Sequence, residues 1–181
     1  MKKTFLVFAL VFSAISLFAQ KKITTSATVK FDASTSLDNL PKAENKTVIA
    51  SLNTTSGALA FEAAVKDFAF ANPMMQGHFN GTAWMDSDKY PAFTYNGSIT
   101  DLSAVDFTKD GTYHVKTEGV LTIKGIEKKL ATPATLTVKG NSILASADFS
   151  VLLSDFGITG VPIDGGKVAK EPKINVTAEL K

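Results

Sequence analysis

The 181-residue chain carries 19 lysines, no arginine, 17 acidic residues and no cysteine, for a formal net charge of +2. Lack of cysteine excludes a disulfide framework, a thiol nucleophile and a thiolate metal site. Lack of arginine removes the planar forks suited to phosphate and base recognition, so nucleic acid is not an expected partner.

The first expected element is an export signal. Lys2 and Lys3 form a positive n-region, residues 5–17 are almost wholly apolar, and Ala19 precedes the polar run Gln20-Lys21-Lys22. This three-part pattern predicts a signal peptide over residues 1–19, cut after Ala19, with Leu17 an atypically large residue three places before the cut. The apolar run is shorter than the roughly 20 residues that cross a bilayer. No cysteine follows it to carry a lipid anchor. The expected mature protein, residues 20–181, is periplasmic or secreted and formally neutral, because removal of Lys2 and Lys3 leaves 17 basic against 17 acidic residues. Its length suits one domain with a substantial core.

From Thr24 onward the chain reads as short period-two stretches rich in Val, Ile, Thr and Phe, an all-β pattern. Val29 and Phe31 share a face of the first strand. Val48, Ala50 and Leu52 do so in the second, and Leu59, Phe61, Ala63 and Val65 in the third, after a turn at Thr54-Thr55-Ser56-Gly57. Lys30, Thr47, Ser51, Glu62 and Lys66 take the opposite faces.

Residues 72–89 break the alternation. Pro73 suits the first turn of a short helix, and Met74, Met75, His78 and Phe79 recur at helical spacing, so a short helix or ordered loop is expected here, lying across the mouth of a barrel or against a sheet. Asp86-Ser87-Asp88-Lys89 should return the chain through solvent.

Alternation resumes at Phe93, Tyr95, Gly97 and Ile99. Further strands are expected over 113–124, 130–139, 143–153 and 174–180, with turns at Asp110-Gly111, Gly125 and Gly140-Asn141. About eight antiparallel strands in a meander result. They can close into a barrel or stack as a sandwich, and closure leaves no exposed edge. The inward faces mix large residues (Phe31, Phe61, Phe93, Tyr95, Tyr113, Phe149) with small ones (Ala50, Ala63, Gly97, Gly119, Ala145, Ala147). A barrel of this order encloses one ligand if its side chains leave room. Periodicity does not distinguish a lined tunnel from a filled core.

Catalytic constellations are sparse. The chain has two histidines, too few for a three-histidine zinc site, and neither belongs to a His-Glu-x-x-His motif. His78 reads as a capping or packing residue and His114 as a solvated strand residue. Asp86 with Asp88, and Asp164-Gly165-Gly166, lack the spacing of a calcium loop. Gly157-Ile158-Thr159-Gly160 is not framed as a phosphate loop. Neither catalytic residues nor metal ligands are expected. Met74 and Met75 would suit a flexible lid, because unbranched thioethers repack around varied chains.

Four segments, in order, carry a family likeness: MMQGHFN from Met74; WMDSDKYP from Trp84, followed by Phe93-Thr94-Tyr95; GTYHVKTEGVLTIKG from Gly111; and SADFSVLLSDFGI from Ser146. With this order and spacing the chain resembles the YceI-like family of exported bacterial proteins with lipocalin-like barrels that bind polyisoprenoids or other lipids. The resemblance implies an all-β, antiparallel eight-stranded lipocalin-like barrel. It would hold a long-chain lipid ligand, a polyisoprenoid or isoprenoid quinone, by its tail, with the head near the mouth, and it would perform no reaction and use no cofactor. Wall candidates are Phe31, Phe61, Phe93, Tyr95, Tyr113 and Phe149; mouth candidates are Met75, Phe79 and Trp84. Lys124 and Leu153 stand where many members have His and Arg, so head-group contacts would differ. Transient contact with a membrane or membrane protein, and a homodimer, are compatible with this reading. Its rivals are a structural or partner-binding β domain with a filled core, and an envelope lipid-modifying enzyme with His78 as base.

Overall fold

Alternating β-branched, aromatic and polar residues fit a pleated surface with one buried face, and each such stretch becomes a strand. The computed structural model describes residues 21–181; the signal peptide expected over residues 1–19 lies outside the described residues. The strands are β1 (Lys21–Asp32), β2 (Lys42–Asn53), β3 (Ala58–Ala64), β4 (Ala69–Phe70), β5 (Ala92–Ile99), β6 (Gly111–Ile123), β7 (Ile126–Lys139), β8 (Ser142–Ser150) and β9 (Lys173–Leu180). Helix α1 spans Pro73–Asn80 and α2 spans Val161–Asp164, and 3-10 turns cover Val65–Asp67, Leu102–Ala104 and Leu153–Phe156.

Pairing is antiparallel throughout and follows chain order, β1-β2-β3-β5-β6-β7-β8-β9, with β9 returning to β1 through Val29↔Val176 and its neighbours. Eight strands thus form a closed up-and-down barrel. The two-residue β4 is an addition outside the ring, paired to the start of β2 at Ala43↔Phe70. Closure removes the open edges that an eight-stranded sheet would otherwise present.

Two expected strands end early. The third stops at Ala64, with Val65 opening a 3-10 turn, and the seventh ring strand, β8, stops at Ser150, with Leu153 in another turn. In both cases the apolar spacing tightens from two residues to three, Val65 to Phe68 and Leu153 to Phe156, which suits a turn whose buried side chains recur on one side. Strand parity read from the sequence runs past these ends, to Val65 in the first case and through Val151 to Leu153 in the second.

An up-and-down barrel places alternate connections at opposite ends. At one end, here the floor, lie the β2–β3 turn, the β5–β6 segment 100–110 and the tight β7–β8 turn at Gly140. At the other, the lid end, lie residues 33–41, 65–91, 124–125 and 151–172, including both helices. The β6–β7 hairpin turns through Lys124 (φ 52°) and Gly125 (φ 72°), two left-handed residues whose twist matches that of the flanking strands. On the floor, Asn53 Oδ1 accepts from the N–H groups of Thr55 and Ser56, each at 2.9 Å, fixing the β2–β3 turn.

Register slips between Thr24 and Val29 mark bulges where β1 and β2 coil around one another. Buried Asn45 pins the bulge in β2. Its Nδ2 donates to the Ala64 carbonyl at 2.9 Å and its Oδ1 accepts from Thr47 N–H at 2.8 Å. A buried amide with both ends satisfied fixes a local geometry at little net cost.

Candidate functional site

Strand parity sends one face of every ring strand into the barrel, but the interior differs from end to end. Near the floor, Ala27, Ala50, Leu52, Val138, Ile143, Ala178 and Leu180 are buried and fill the bore. Higher up, Val29, Phe61, Phe93, Tyr95, Leu130, Ala134, Phe149 and Ile174 point inward and yet remain only half-buried, because they face an unfilled space. That space is a cavity of about 160 Å³, room for roughly ten or more water molecules by the volume that each centre needs.

The lid is built from the connections. Asn72 caps α1 by accepting from Met74 N–H at 2.9 Å, and Pro73 occupies the first turn, where its missing N–H is harmless. The helix drives Phe79 into the barrel mouth. Its ring lies 4.9 Å from Phe70, 5.9 Å from Phe68 and 6.2 Å from Phe31, and Phe68 continues to Phe93 at 5.7 Å. These tilted contacts favour edge-to-face packing. Met85 reaches the cavity from the turn after α1, where its N–H donates to the Phe79 carbonyl at 3.1 Å. Leu153 and Ile158 reach it from the β8–β9 connection.

The lining contains no charged residue; its polar members are Thr94, Tyr95, Thr117, Thr132 and Ser146. Three of these satisfy one another along the wall. Tyr95 O–H donates to Thr117 Oγ1 at 3.3 Å, and Thr117 in turn donates to the Thr132 carbonyl at 3.2 Å. Thr132 Oγ1 donates to the Asp148 carbonyl at 3.4 Å or the Pro133 carbonyl at 3.3 Å. With these hydroxyl groups occupied, the cavity presents a nearly continuous hydrocarbon wall. Such a wall is chemically suited to an apolar chain.

Tyr95 lies against the wall because two glycines make a recess for it. Gly97 and Gly119 stand directly opposite one another across β5 and β6. A Cβ at Gly119 would meet Asn96 O at 2.4 Å, Gly97 Cα at 2.6 Å and Tyr95 Cζ at 2.8 Å. The strands approach too closely for any side chain, and the tyrosine ring covers the bare backbone on the inner face.

Of the residues singled out from sequence, Phe31, Phe61, Phe79, Phe93, Tyr95 and Phe149 line the cavity, whereas Met75, Trp84 and Tyr113 do not. Tyr113 has the inward parity but sits at the floor end, where its O–H donates to the Lys109 carbonyl at 2.9 Å. Trp84 packs on the core from outside the lining while its neighbour Met85 takes the inward place. Met75 is half-buried on α1. The return segment after α1 is not simply solvated, since Ser87 is buried and its hydroxyl donates to the Asn80 carbonyl at 3.2 Å. Phe68 and Met85 escaped the sequence reading. The Val65-x-x-Phe68 spacing was the available signal for the first; the second had none.

At the lid-end rim, partial burial acts to raise the pKa of Asp32, but hydrogen bonds from the Ser34 hydroxyl and N–H, together with Lys42, outweigh it and hold the carboxyl below its usual range. The Ser34 N–H lies 2.9 Å from Asp32 Oδ1 and Lys42 Nζ lies 3.4 Å from Oδ2. His78 is exposed on α1 and does not line the cavity. Among the described residues no group of three His, Cys, Asp or Glu side chains is placed to hold a metal ion, and no helix is long and apolar enough to cross a membrane.

The YceI-like domain family model matches residues 11–180. Solved structures share the fold. A polyisoprenoid-binding domain from Saccharophagus degradans superposes with a TM-score of 0.75 at 11% identity, covering 90% of this chain and 98% of its own. BcnA from Burkholderia cenocepacia gives 0.71 at 20% identity, covering 86% and 96%. The YceI protein of Campylobacter jejuni gives 0.56 at 18% identity, covering 78% and 81%. No curated protein matches the chain in sequence.

Proposed function

The chain belongs to the YceI-like family, and from that premise we propose that it is an exported, non-enzymatic binding protein that holds the tail of a long-chain lipid, a polyisoprenoid or isoprenoid quinone, inside its barrel. The observation that carries the reading is the uncharged cavity above a solid floor, lined by half-buried inward aromatic and aliphatic side chains. The polyisoprenoid-binding domain from Saccharophagus degradans shares this fold, which supports the choice of ligand class.

The driving force is burial of hydrocarbon. Each methylene removed from water contributes about 0.8 kcal/mol, so a five-carbon isoprene unit contributes roughly 4 kcal/mol before the cost of association is subtracted. A few units therefore suffice for tight binding without any charged contact. The same wall tolerates variation along the tail, since apolar surfaces discriminate weakly between chains of similar girth. A long tail exceeds the space present with the lid closed. Its uptake therefore requires the rings of Phe31, Phe68, Phe79 and Phe93 to shift, and all four belong to the lid end.

The rival with a filled core requires an interior without a cavity, and the interior has one. The lipid-modifying rival requires a base beside the lipid, but His78 points away from the lining. Native mass spectrometry and organic extraction of the purified protein test the proposal: a polyprenoid or quinone should be released at about one per chain. Repeatedly empty preparations that also fail to take up quinone from detergent solution would refute it.

A further inference from the structure

Among the described residues nine large hydrophobic side chains are exposed, and six of them, Leu37, Leu40, Met74, Ile126, Leu152 and Val161, lie at the lid end. They come from four separate segments: the β1–β2 connection, α1, the start of β7 and the β8–β9 connection. The other three, Ile23, Ile49 and Leu144, point outward from strands around the barrel side. No floor-end connection carries one. Exposure is greatest at the rim, 83% for Val161, 72% for Leu37 and 68% for Met74.

Resting on the proposed lipid-tail function, we propose that this rim is a docking surface for the bilayer itself, set on the surface of zwitterionic lipids so that the mouth of the barrel faces the acyl region. Three observations select a bilayer over a protein. The rim side chains crown separate loops instead of forming one groove, a distribution that suits a fluid phase in which each side chain inserts independently; a protein partner would need a matching pocket for each. The lid-end connections contain five lysines and seven carboxylates, so they carry no net positive charge to recruit anionic head groups, and attachment must come from apolar insertion. Finally, the rim is continuous with the cavity through the lid, as Met74 and Phe79 belong to the same eight-residue helix. A tail leaving the bilayer would thus pass from one apolar medium to another without crossing water.

The loops are tied together at the rim. Thr35 Oγ1 donates to the Gly166 carbonyl at 2.7 Å, and the N–H of Ala169 donates to the Ala33 carbonyl at 2.8 Å. These bonds hold the segment bearing Leu37 against the segment bearing Val161, so the two most exposed side chains share one supported edge.

Flotation with vesicles of phosphatidylcholine and phosphatidylethanolamine tests the assignment. The protein should float with the vesicles, and raising the salt to about 0.5 M should not release it, because apolar insertion is not screened. Replacing Leu37, Met74 and Val161 together by Asp should lower the bound fraction by about tenfold or more, while Ile23→Asp with Ile49→Asp on the barrel side should leave it unchanged. All five sites are solvent-exposed, and unchanged thermal melts confirm folding. Absence of binding by the parent protein, equal binding by the rim variant, or release by salt would overturn the proposal. Quinone uptake from detergent separates the two readings. The rim variant should retain it; its loss there would assign these side chains to the cavity and overturn the docking role. Vesicle binding by a protein that takes up no quinone would leave docking standing and the cavity reading refuted.

Discussion

Gly119→Ala is the most demanding single-atom test of how this barrel keeps its bore open. The added Cβ would stand 2.4 Å from Asn96 O and 2.6 Å from Gly97 Cα, both backbone atoms of the neighbouring strand, and 2.8 Å from the Tyr95 ring. Side-chain rotation relieves only the last of these contacts. Strands β5 and β6 must therefore separate locally, and Tyr95 must swing off the wall into the cavity, breaking its hydrogen bond to Thr117. Overpacking of this kind costs about 1–3 kcal/mol, and loss of the hydrogen bond about 0.5–1.5 kcal/mol. Together, about 1.5–4.5 kcal/mol, these correspond to a fall of roughly 3–18 °C in melting temperature for a domain of this size. Thermal denaturation followed by circular dichroism measures the first effect, and quinone uptake from detergent measures the second, which should fall because the ring now occupies ligand space. A variant that melts within about one degree of the parent and takes up quinone normally would refute the claim that the glycine pair sets the strand spacing and seats Tyr95.

Ala147→Phe places a ring in the half-buried gap opposite Ala134; the melting temperature should hold or rise as apolar surface fills the cavity, while stoichiometric lipid in native mass spectra disappears, and retention of the lipid would contradict the assigned site. Phe79→Ala removes the centre of the lid cluster; large-to-small changes of this type cost about 3–5 kcal/mol at a fully packed site, and hydrogen exchange should rise over residues 72–90 more than in the ring strands, with faster loss of bound lipid in a chase experiment. An unchanged release rate would exclude α1 as the gate. Asp32, whose pKa is held below the usual range, stabilises the rim above the ordinary carboxylate value and ceases to do so as pH falls through the lower folded value. The Ser34 amide resonance should therefore titrate with a midpoint below about 3.9 and lose that transition in Asp32→Asn; a midpoint at or above the ordinary value would count against the hydrogen-bonded arrangement.

Residues in regular strands were legible from sequence because parity there is a physical constraint. Once Val29 is assigned inward, Phe31 follows, and the same rule oriented Phe61, Phe93, Tyr95 and Phe149 toward what proved to be the cavity. Parity gives the face and not where the ring then turns. Tyr113 obeys the same alternation and stands opposite Leu136, which lines the cavity, but its ring turns toward Gly111 and its hydroxyl toward the Lys109 carbonyl, a direction that alternation does not carry. The lid was less legible for a related reason. Pro73 and the preceding Asn72 announce a helix start locally, but which face of an eight-residue helix turns inward depends on the turn that follows. There the bond from Met85 N–H to the Phe79 carbonyl brings Met85 inward in place of Trp84. Phe68 was missed because the strand rule was extended through a 3-10 turn whose period is three.

The two ends of the barrel have different interiors, and that difference fixes how a tailed lipid can lie in it. Large and small inward residues interlock at the floor, so no ligand passes there. Entry is confined to the lid end, where the obstructing side chains are held by helix packing and ring contacts and not by the strand ladder. A polar head driven to the bottom of this cavity would lose water and find hydroxyl groups already bonded to one another or to backbone carbonyls; an unpaired polar group in such a place costs several kilocalories per mole. Tail-first entry avoids that cost and leaves the head among the solvated loops of the rim. On the proposed reading, a barrel with one blind end and one apolar-rimmed mouth would take a hydrocarbon tail only from the end that carries its lid.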